Sequence, residues 1–408
     1  MPPLQMVDDI ITASKCGATS RALNTAVNTF INTKKMKLSA KKCSKIHVGN
    51  KVSKEKCQEQ MIDNEALNNS EKEKYLGDFI TKDASSKETI KDRKRKGYGI
   101  LAEISAILKD IPLGNKRTRV GLELRHAMFL NGVLFNSETW INFNKLDIKV
   151  LEVLDHKILR MITGAHAKTP TEMLYLETGE IDIKSVITVR RLLYWQNILK
   201  RHTKELISKV YFAMKNSPKK GDWINLVSDD LEGIGMSLEI ESQVQQMKKG
   251  DFKKIIKEKV RQKAFKEMNE RKAIHNKVKD IVHTNVHEPK EYLTSDKVTT
   301  KQSALIMNLR SKCATDFSSN FKGMSSDVLC PLCRKEDDSQ EHALTCEVSA
   351  QKLNRQEKEI KYNDLFGTLD EQLKIVKVYQ KLLIFRKTTT SVEPGPADRG
   401  TRNTGPSG

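Results

Sequence analysis

Aromatic residues make up only 6% of the 408-residue chain, which argues against a large aromatic-rich β-sandwich. Proline (10) and glycine (20) are also few for this length, so long helices meet little obstruction. No run of about eighteen apolar residues occurs, and no membrane-spanning helix is expected. Residues 1–11 carry two acids and no basic region ahead of their apolar stretch, so they do not read as a signal peptide. Cysteine is present seven times, with three near the C-terminus and four scattered, which is not a secreted disulfide framework. A reducing compartment, nucleus or cytoplasm, is the expectation, and secretion is not.

Acidic residues are the last shortage. The chain has 52 Asp and Glu against 72 Lys and Arg, a formal net charge of +20. Such an excess attracts polyanions at long range, and each phosphate neutralised releases a counterion. RNA and DNA are the expected partners, with an acidic membrane surface as the rival reading.

The patterning predicts a mainly α fold with a small α+β N-terminal piece and a C-terminal zinc knuckle. Leu4–Val7 and Ile10–Ile11 flank Asp8-Asp9 and read as a β-hairpin. A helix is predicted over Ala22–Thr33, and short strands over Lys45–Gly49 and Tyr75–Ile80, with a polar loop over Ser53–Lys74. Helical spacing then dominates. Ile100, Leu101, Ile104, Ile107 and Leu108 mark one face, Arg119–Asn136 another helix, and Ile148, Leu151, Leu154, Ile158 and Ile162 a third. Thr169-Pro170-Thr171-Glu172 offers a helix start, and Val186 to Ile198 another amphipathic segment. Residues 248–279 hold thirteen Lys and Arg against four Asp and Glu, with a thin stripe of Ile255, Ile256, Val260, Phe265 and Met268. The expected divisions are 1–82, 83–145, a basic helical 146–320, 321–350, a helical 351–387 and a disordered tail over 388–408.

The strongest chemical signal is Cys330, Cys333, His342 and Cys346, spaced Cys-x2-Cys-x8-His-x3-Cys. Two thiolates two residues apart reach one ion from a tight knuckle, and His342 and Cys346 lie one helical turn apart. Four such ligands with no open position describe a structural Zn2+ rather than a catalytic one. Cys313 is too distant to be a good substitute, Cys16, Cys43 and Cys57 read as ordinary thiols, and His283 and His287 as solvated.

Asp8 and Asp9 between apolar half-strands suit a pair of divalent ions, although such pairs are common in solvated turns. Met6-Val7-Asp8-Asp9 resembles the aromatic-x-Asp-Asp box of reverse transcriptases, with Met where Phe or Tyr usually stands. A helix, Lys42-Cys43-Ser44-Lys45 leading into a strand, and a Leu76-Gly77 turn follow in the order of that family's palm and primer grip. Further on, Thr169-Pro170 with Glu172, Leu174 to Gly179 and Arg190 to Tyr194 resemble the region after the thumb in non-LTR (LINE-type) retrotransposon reverse transcriptases. Many of those end in a Cys-Cys-His-Cys knuckle. On this resemblance, 1–82 is the C-terminal part of a palm, 83–145 a thumb, and Asp8 and Asp9 remnant Mg2+ ligands of an RNA-directed DNA polymerase. On the same resemblance, the upstream palm strand with its further carboxylate, and the fingers, are expected to be absent from this chain. The expectation is therefore a chain that binds a primer–template duplex but does not polymerise alone.

Lys91, Arg93, Lys94, Arg95 and Lys96, then Lys116, Arg117 and Arg119, then Arg190 and Arg191 are the expected phosphate contacts, with Tyr194 and Trp195 available for stacking. Each of these lysines also reads as part of a solvated face. Trp140 and Trp223 are expected in the core. Two other functions fit the same residues: a non-enzymatic nucleic-acid-binding zinc-knuckle protein, and a helical scaffold whose knuckle binds protein.

Overall fold

The computed structural model describes residues 4–6, 9–49, 61–62, 65–279, 281–283, 288–321 and 328–390. The chain is mainly helical, as the scarcity of helix breakers predicts. Among the described residues the few strands are short and confined to the N-terminal part. Strands β1 (Leu4–Met6) and β2 (Asp9–Ile11) form the expected antiparallel pair. Helix α1 (Gly17–Thr33) follows. The strand expected over Lys45–Gly49 is only β3 (Ser44–Lys45). Within the segment expected as a polar loop lie β4 (Met61–Ile62), β5 (Glu65–Ala66) and β6 (Asn68–Asn69). β3 pairs parallel with β6, and β4 antiparallel with β5.

Tyr75–Ile80 is a hairpin and not a single strand. β7 (Lys72–Tyr75) and β8 (Asp78–Thr81) pair antiparallel with Tyr75 opposite Asp78. Leu76 and Gly77 form the two-residue turn with φ of 48° and 92°, both in the left-handed region such turns require.

Helix α2 (Lys87–Lys109) buries Ile90, Arg93, Ile104 and Leu108. The expected helix over Arg119–Asn136 begins earlier and changes pitch. It runs as α3 (Asn115–Leu124), a π-helical stretch (Arg125–Leu130) and α4 (Asn131–Val133). In α5 (Lys145–Thr163) all five predicted stripe residues, Ile148, Leu151, Leu154, Ile158 and Ile162, are buried. Helix α6 (Thr171–Thr178) starts directly after Pro170, whose fixed φ suits a helix entry. It buries every residue from Glu172 to Thr178, and Gly179 closes it at φ 67°. A Cβ on Gly179 would meet the Glu288 backbone at 2.6–2.8 Å.

Helix α7 (Ile183–Leu199) is capped by Asp182, which accepts from the Ser185 N–H. Then come α8 (Leu206–Asn216), α9 (Trp223–Glu232), α10 (Glu241–Gln246) and α11 (Lys249–Ala273). The buried row of α11 is Phe252, Ile256, Val260, Ala264, Met268 and Lys272, a strict four-residue spacing. Ile255 is exposed, contrary to the expected stripe. Helix α12 (Glu291–Thr294) precedes α13 (Thr300–Arg310), which has a capping box of Thr299 and Gln302. The C-terminal part holds α14 (Gln340–Thr345), α15 (Glu347–Ala350), α16 (Arg355–Lys358) and α17 (Leu369–Thr390). The first three residues of the expected tail thus belong to α17, and 391–408 lie outside the described residues.

The chain groups into two compact units: 1–102, 126–155 and 182–263 in one, and 103–125, 156–181 and 264–408 in the other. The first has a core of Leu192 and Trp195 from α7, Tyr211 from α8, Trp223 and Val227 from α9, and Phe252, Ile256 and Val260 from α11. Trp140 and Trp223 are buried as expected. Trp195 is buried too, with its Nε1 donating to the Tyr211 hydroxyl at 3.0 Å, so it is not free to stack on a base. The second unit carries smaller apolar clusters, one of Met173, Val278 and Ile281, another of Leu353, Val378 and Leu382. No helix among the described residues is long and apolar enough to cross a membrane.

Candidate metal centre and basic residues

The four predicted ligands meet. The ligand atoms of Cys330, Cys333, His342 and Cys346 all lie within 4.8 Å of one another. Two edges of the cluster are Cys330 Sγ to Cys346 Sγ, 4.0 Å, and Cys333 Sγ to His342 Nε2, 3.2 Å. A tetrahedron with arms of about 2.3 Å has edges of about 3.8 Å, so the cluster has the size of a closed four-ligand metal site.

Local backbone chemistry builds it. The Cys330 N–H donates to the Glu336 carbonyl at 2.7 Å, and the Arg334 N–H to the Cys330 carbonyl at 2.9 Å, which folds the knuckle. Arg334 takes a left-handed φ of 55° there. Ser339 caps α14 by accepting from the His342 N–H at 3.0 Å, and the Cys346 N–H donates to the His342 carbonyl at 2.7 Å. His342 and Cys346 are thereby held one turn apart. With Nε2 turned to the thiols, His342 Nδ1 donates to Glu336 Oε2 at 3.1 Å. A carboxylate in that position fixes the ring and its tautomer. Backbone N–H groups of Lys335 and Glu336, with His342, lower the Cys333 thiol to about 6, whereas burial raises that of Cys330. The donor set present can hold a metal ion such as zinc.

The centre is built into its unit rather than hung from it. Gln340 Nε2 donates to the Leu309 carbonyl at 2.8 Å and to the Tyr362 hydroxyl at 2.7 Å, and the Tyr379 hydroxyl donates to the Gln340 carbonyl at 2.9 Å. Buried Asp338 accepts from Arg386 Nη2 at 2.6 Å and from the Ser318 N–H at 3.0 Å. Helices α13 and α17 therefore both hold the metal-site loop just ahead of His342. Cys313 is buried outside the cluster, Cys16 is exposed, and Cys57 lies outside the described residues.

A second buried cluster carries no motif in the sequence. Glu177, at the end of α6, is fully buried and receives Arg310 Nε at 3.1 Å, Arg310 Nη2 at 3.0 Å and His283 Nε2 at 2.9 Å. His283 is thus buried and paired instead of solvated, and its Nδ1 faces Lys272 Nζ at 3.2 Å. His287 lies outside the described residues. Burial alone would raise the Glu177 pKa, but Arg310 and His283 outweigh it and hold the carboxyl below its ordinary range. Burial pushes the His283 imidazole below its usual value.

No family model, curated protein or solved structure matches this chain.

The basic candidates divide by what already neutralises them. Arg93 is buried and clamps the β7–β8 turn, donating to the Gly77 carbonyl at 3.2 Å and to Asp78 at 2.7 Å. Arg191 is buried against Asp230 at 2.6 Å. Arg190 covers the end of the α3–α4 helical run, donating to the Leu130 carbonyl at 3.2 Å and to Asn131 at 2.9 Å. Arg117 donates to the Met161 carbonyl near the end of α5 and to the Ile111 carbonyl, both at 2.9 Å. Lys91 pairs with Glu88, and Arg95 and Lys96 with Asp92. Lys94 is half-buried, and Lys116 and Arg119 are exposed at the start of α3. Asp8 lies outside the described residues, and Asp9 is placed by its backbone as the first residue of β2.

Proposed function

We propose that this chain is a nucleic-acid-binding protein of the non-LTR retrotransposon reverse-transcriptase lineage, in which Cys330, Cys333, His342 and Cys346 hold a structural Zn2+. The closed four-ligand cluster inside a chain of net charge +20 carries the reading. Four filled positions leave no site for substrate, so the ion organises the fold and the chemistry of partner recognition falls to the surface cations. The lineage rests on the order hairpin, helix, strand, Leu76-Gly77 hairpin and basic helix. The two-residue turn at Leu76-Gly77 supports it, because a grip on a duplex end needs a defined loop held rigidly from below, and Arg93 does that holding.

Two measurements test the proposal. Titration of the purified chain with a labelled 20-base-pair duplex should give a dissociation constant that weakens steeply with salt. Between 50 and 200 mM the loss should be about a thousandfold for six contacts. A constant that barely moves with salt overturns nucleic-acid binding. Metal analysis should find about one zinc per chain, lost in Cys333→Ser; zinc-free folded protein overturns the assignment of the centre. Translation of genomic sequence upstream of Met1 tests the lineage, with a strand bearing a further Asp as the expected finding.

A further inference from the structure

We infer that the exposed lysine row of α11, rather than the basic residues of α2 and α7, grips the phosphate backbone of a nucleic-acid duplex. This inference rests on the nucleic-acid-binding reading and specifies its surface and partner. Helix α11 turns Phe252, Ile256 and Val260 into the core of its unit. That leaves Lys249, Lys253, Lys254 and Lys257 exposed, with Lys248 directly before the helix. No acid pairs with any of these five among the described residues, and Asp251 is the only acid in 248–257. By contrast, Lys91 of α2 shares Glu88 with Lys72, Arg95 and Lys96 share Asp92 with Lys74, and Arg190 and Arg191 of α7 are held by helix-end carbonyls and Asp230.

The arrangement disfavours the free chain. Lys249 with Lys253 and Lys253 with Lys257 stand four residues apart, and Lys254 with Lys257 three apart. Each like-charge pair destabilises the free helix. An external polyanion removes that repulsion and releases its own counterions as it does so. The spacing suits the backbone of a duplex. Four residues rise about 6 Å along a helix, so Lys249 to Lys257 covers about 12 Å. A duplex strand places one phosphate per about 3.4 Å of axis, which sets three or four phosphates along the row.

The surroundings select duplex over single strand. Single strands are held by stacking their bases on exposed aromatic rings. In α11 the ring of Phe252 is fully buried, Phe265 is half-buried, and the one large exposed side chain in the lysine row is the aliphatic Ile255. A surface with charge and no rings holds a backbone whose bases are already paired. Lysine ammonium groups, unlike guanidinium forks, carry little geometric selectivity, so the binding is independent of sequence.

The test uses the full chain. The variant Lys249→Gln/Lys253→Gln/Lys254→Gln/Lys257→Gln is compared with Lys72→Gln/Lys82→Gln/Lys215→Gln/Lys381→Gln. The second set removes the same charge from lysines already paired with acids. Fluorescence anisotropy is recorded across salt with 20-base-pair DNA and RNA duplexes and a single strand of equal phosphate number. The α11 variant is expected to lower the salt slope by about 3, and the paired-lysine variant by less than 1. Replacement of the four α11 lysines by arginine should keep the slope. Equal losses in the two glutamine sets would reduce the effect to bulk charge and overturn the inference. So would a wild-type slope in the α11 variant, or tighter binding of the single strand that the α11 set abolishes. Wild-type protein that binds no nucleic acid would instead remove the proposed function itself.

Discussion

The interior of the C-terminal unit and the surface of α11 handle charge in opposite ways. Inside, the buried acids have cationic partners, Glu177 with Arg310 and Asp338 with Arg386, and the thiols are grouped where they can hold a metal. Along Lys248–Lys257 five cations stand in water, and none of them is ion-paired among the described residues. Matched charges in a low-dielectric interior specify one arrangement of the chain, because separating them leaves an uncompensated ion. Unmatched charges on a helix surface specify nothing about the fold and are available to something outside it. Substitutions inside should therefore register in stability, and substitutions on α11 in binding.

The sharpest attack on that contrast is removal of the metal. Chelation, or Cys346→Ser, should uncouple the segment 328–346 from α13 and α17, since binding energy at such sites is folding energy of about 10 kcal/mol or more. The expected result is loss of hydrogen-exchange protection at Ala343 and Tyr379 together; protection unchanged in metal-free protein would show that the packing around Gln340 suffices. Next in size is Arg310→Met. It strands Glu177 in a dry site and should cost about 3–5 kcal/mol by urea unfolding, and a cost below about 1 kcal/mol would mean the pair is replaceable.

Acid provides a milder test of the same interior. The folded chain keeps His283 neutral, whereas the unfolded chain binds a proton near pH 6.5, so this group's contribution is present above that pH and lost as pH falls. The depressed Glu177 acts in the same direction below about pH 4.3. The unfolding free energy should fall between pH 7.5 and 5.5, by at most about 1.4 kcal/mol per pH unit, and His283→Gln should flatten that slope. A slope identical in the variant would remove His283 from the account. The smallest expected effect is on the surface side: the fourfold glutamine variant of α11 should leave unfolding free energy within about 0.5 kcal/mol per site, and a larger loss would mean these lysines have structural partners after all.

What sequence reading recovered, and what it missed, follows the distance over which each feature is determined. The α5 stripe and the entry to α6 are set within one or two turns, and both appear as expected. The metal cluster is also local, four residues within seventeen, and its chemistry dictates its spacing. Glu336 as orienting carboxylate was within reach, because an acid inside the loop between Cys333 and His342 is placed to meet the imidazole. The Leu76-Gly77 turn was harder, because a leucine at φ 48° contradicts its own preference and only the pairing of β7 with β8 imposes it. The seam of α11 departs from the expected stripe at Ile255 because adjacent apolar residues do not reveal which one faces inward. Least legible were the arginines. Whether Arg93 meets water or Asp78, and whether His283 meets water or Glu177, depends on residues 15 and 106 positions away. Composition counts a charge without saying whether it is already answered.

Gly179 also restricts how this molecule can change. It ends α6 in a conformation that side chains rarely adopt, and its bare α-carbon is the seat on which the Glu288 backbone rests, two residues before the Lys290 N–H donates to the Glu177 carbonyl at 2.8 Å. Any larger residue would have to solve both problems at once, and relieving one leaves the other. A side chain here would push residues 288–290 away from the helix whose last acid anchors the buried ion cluster.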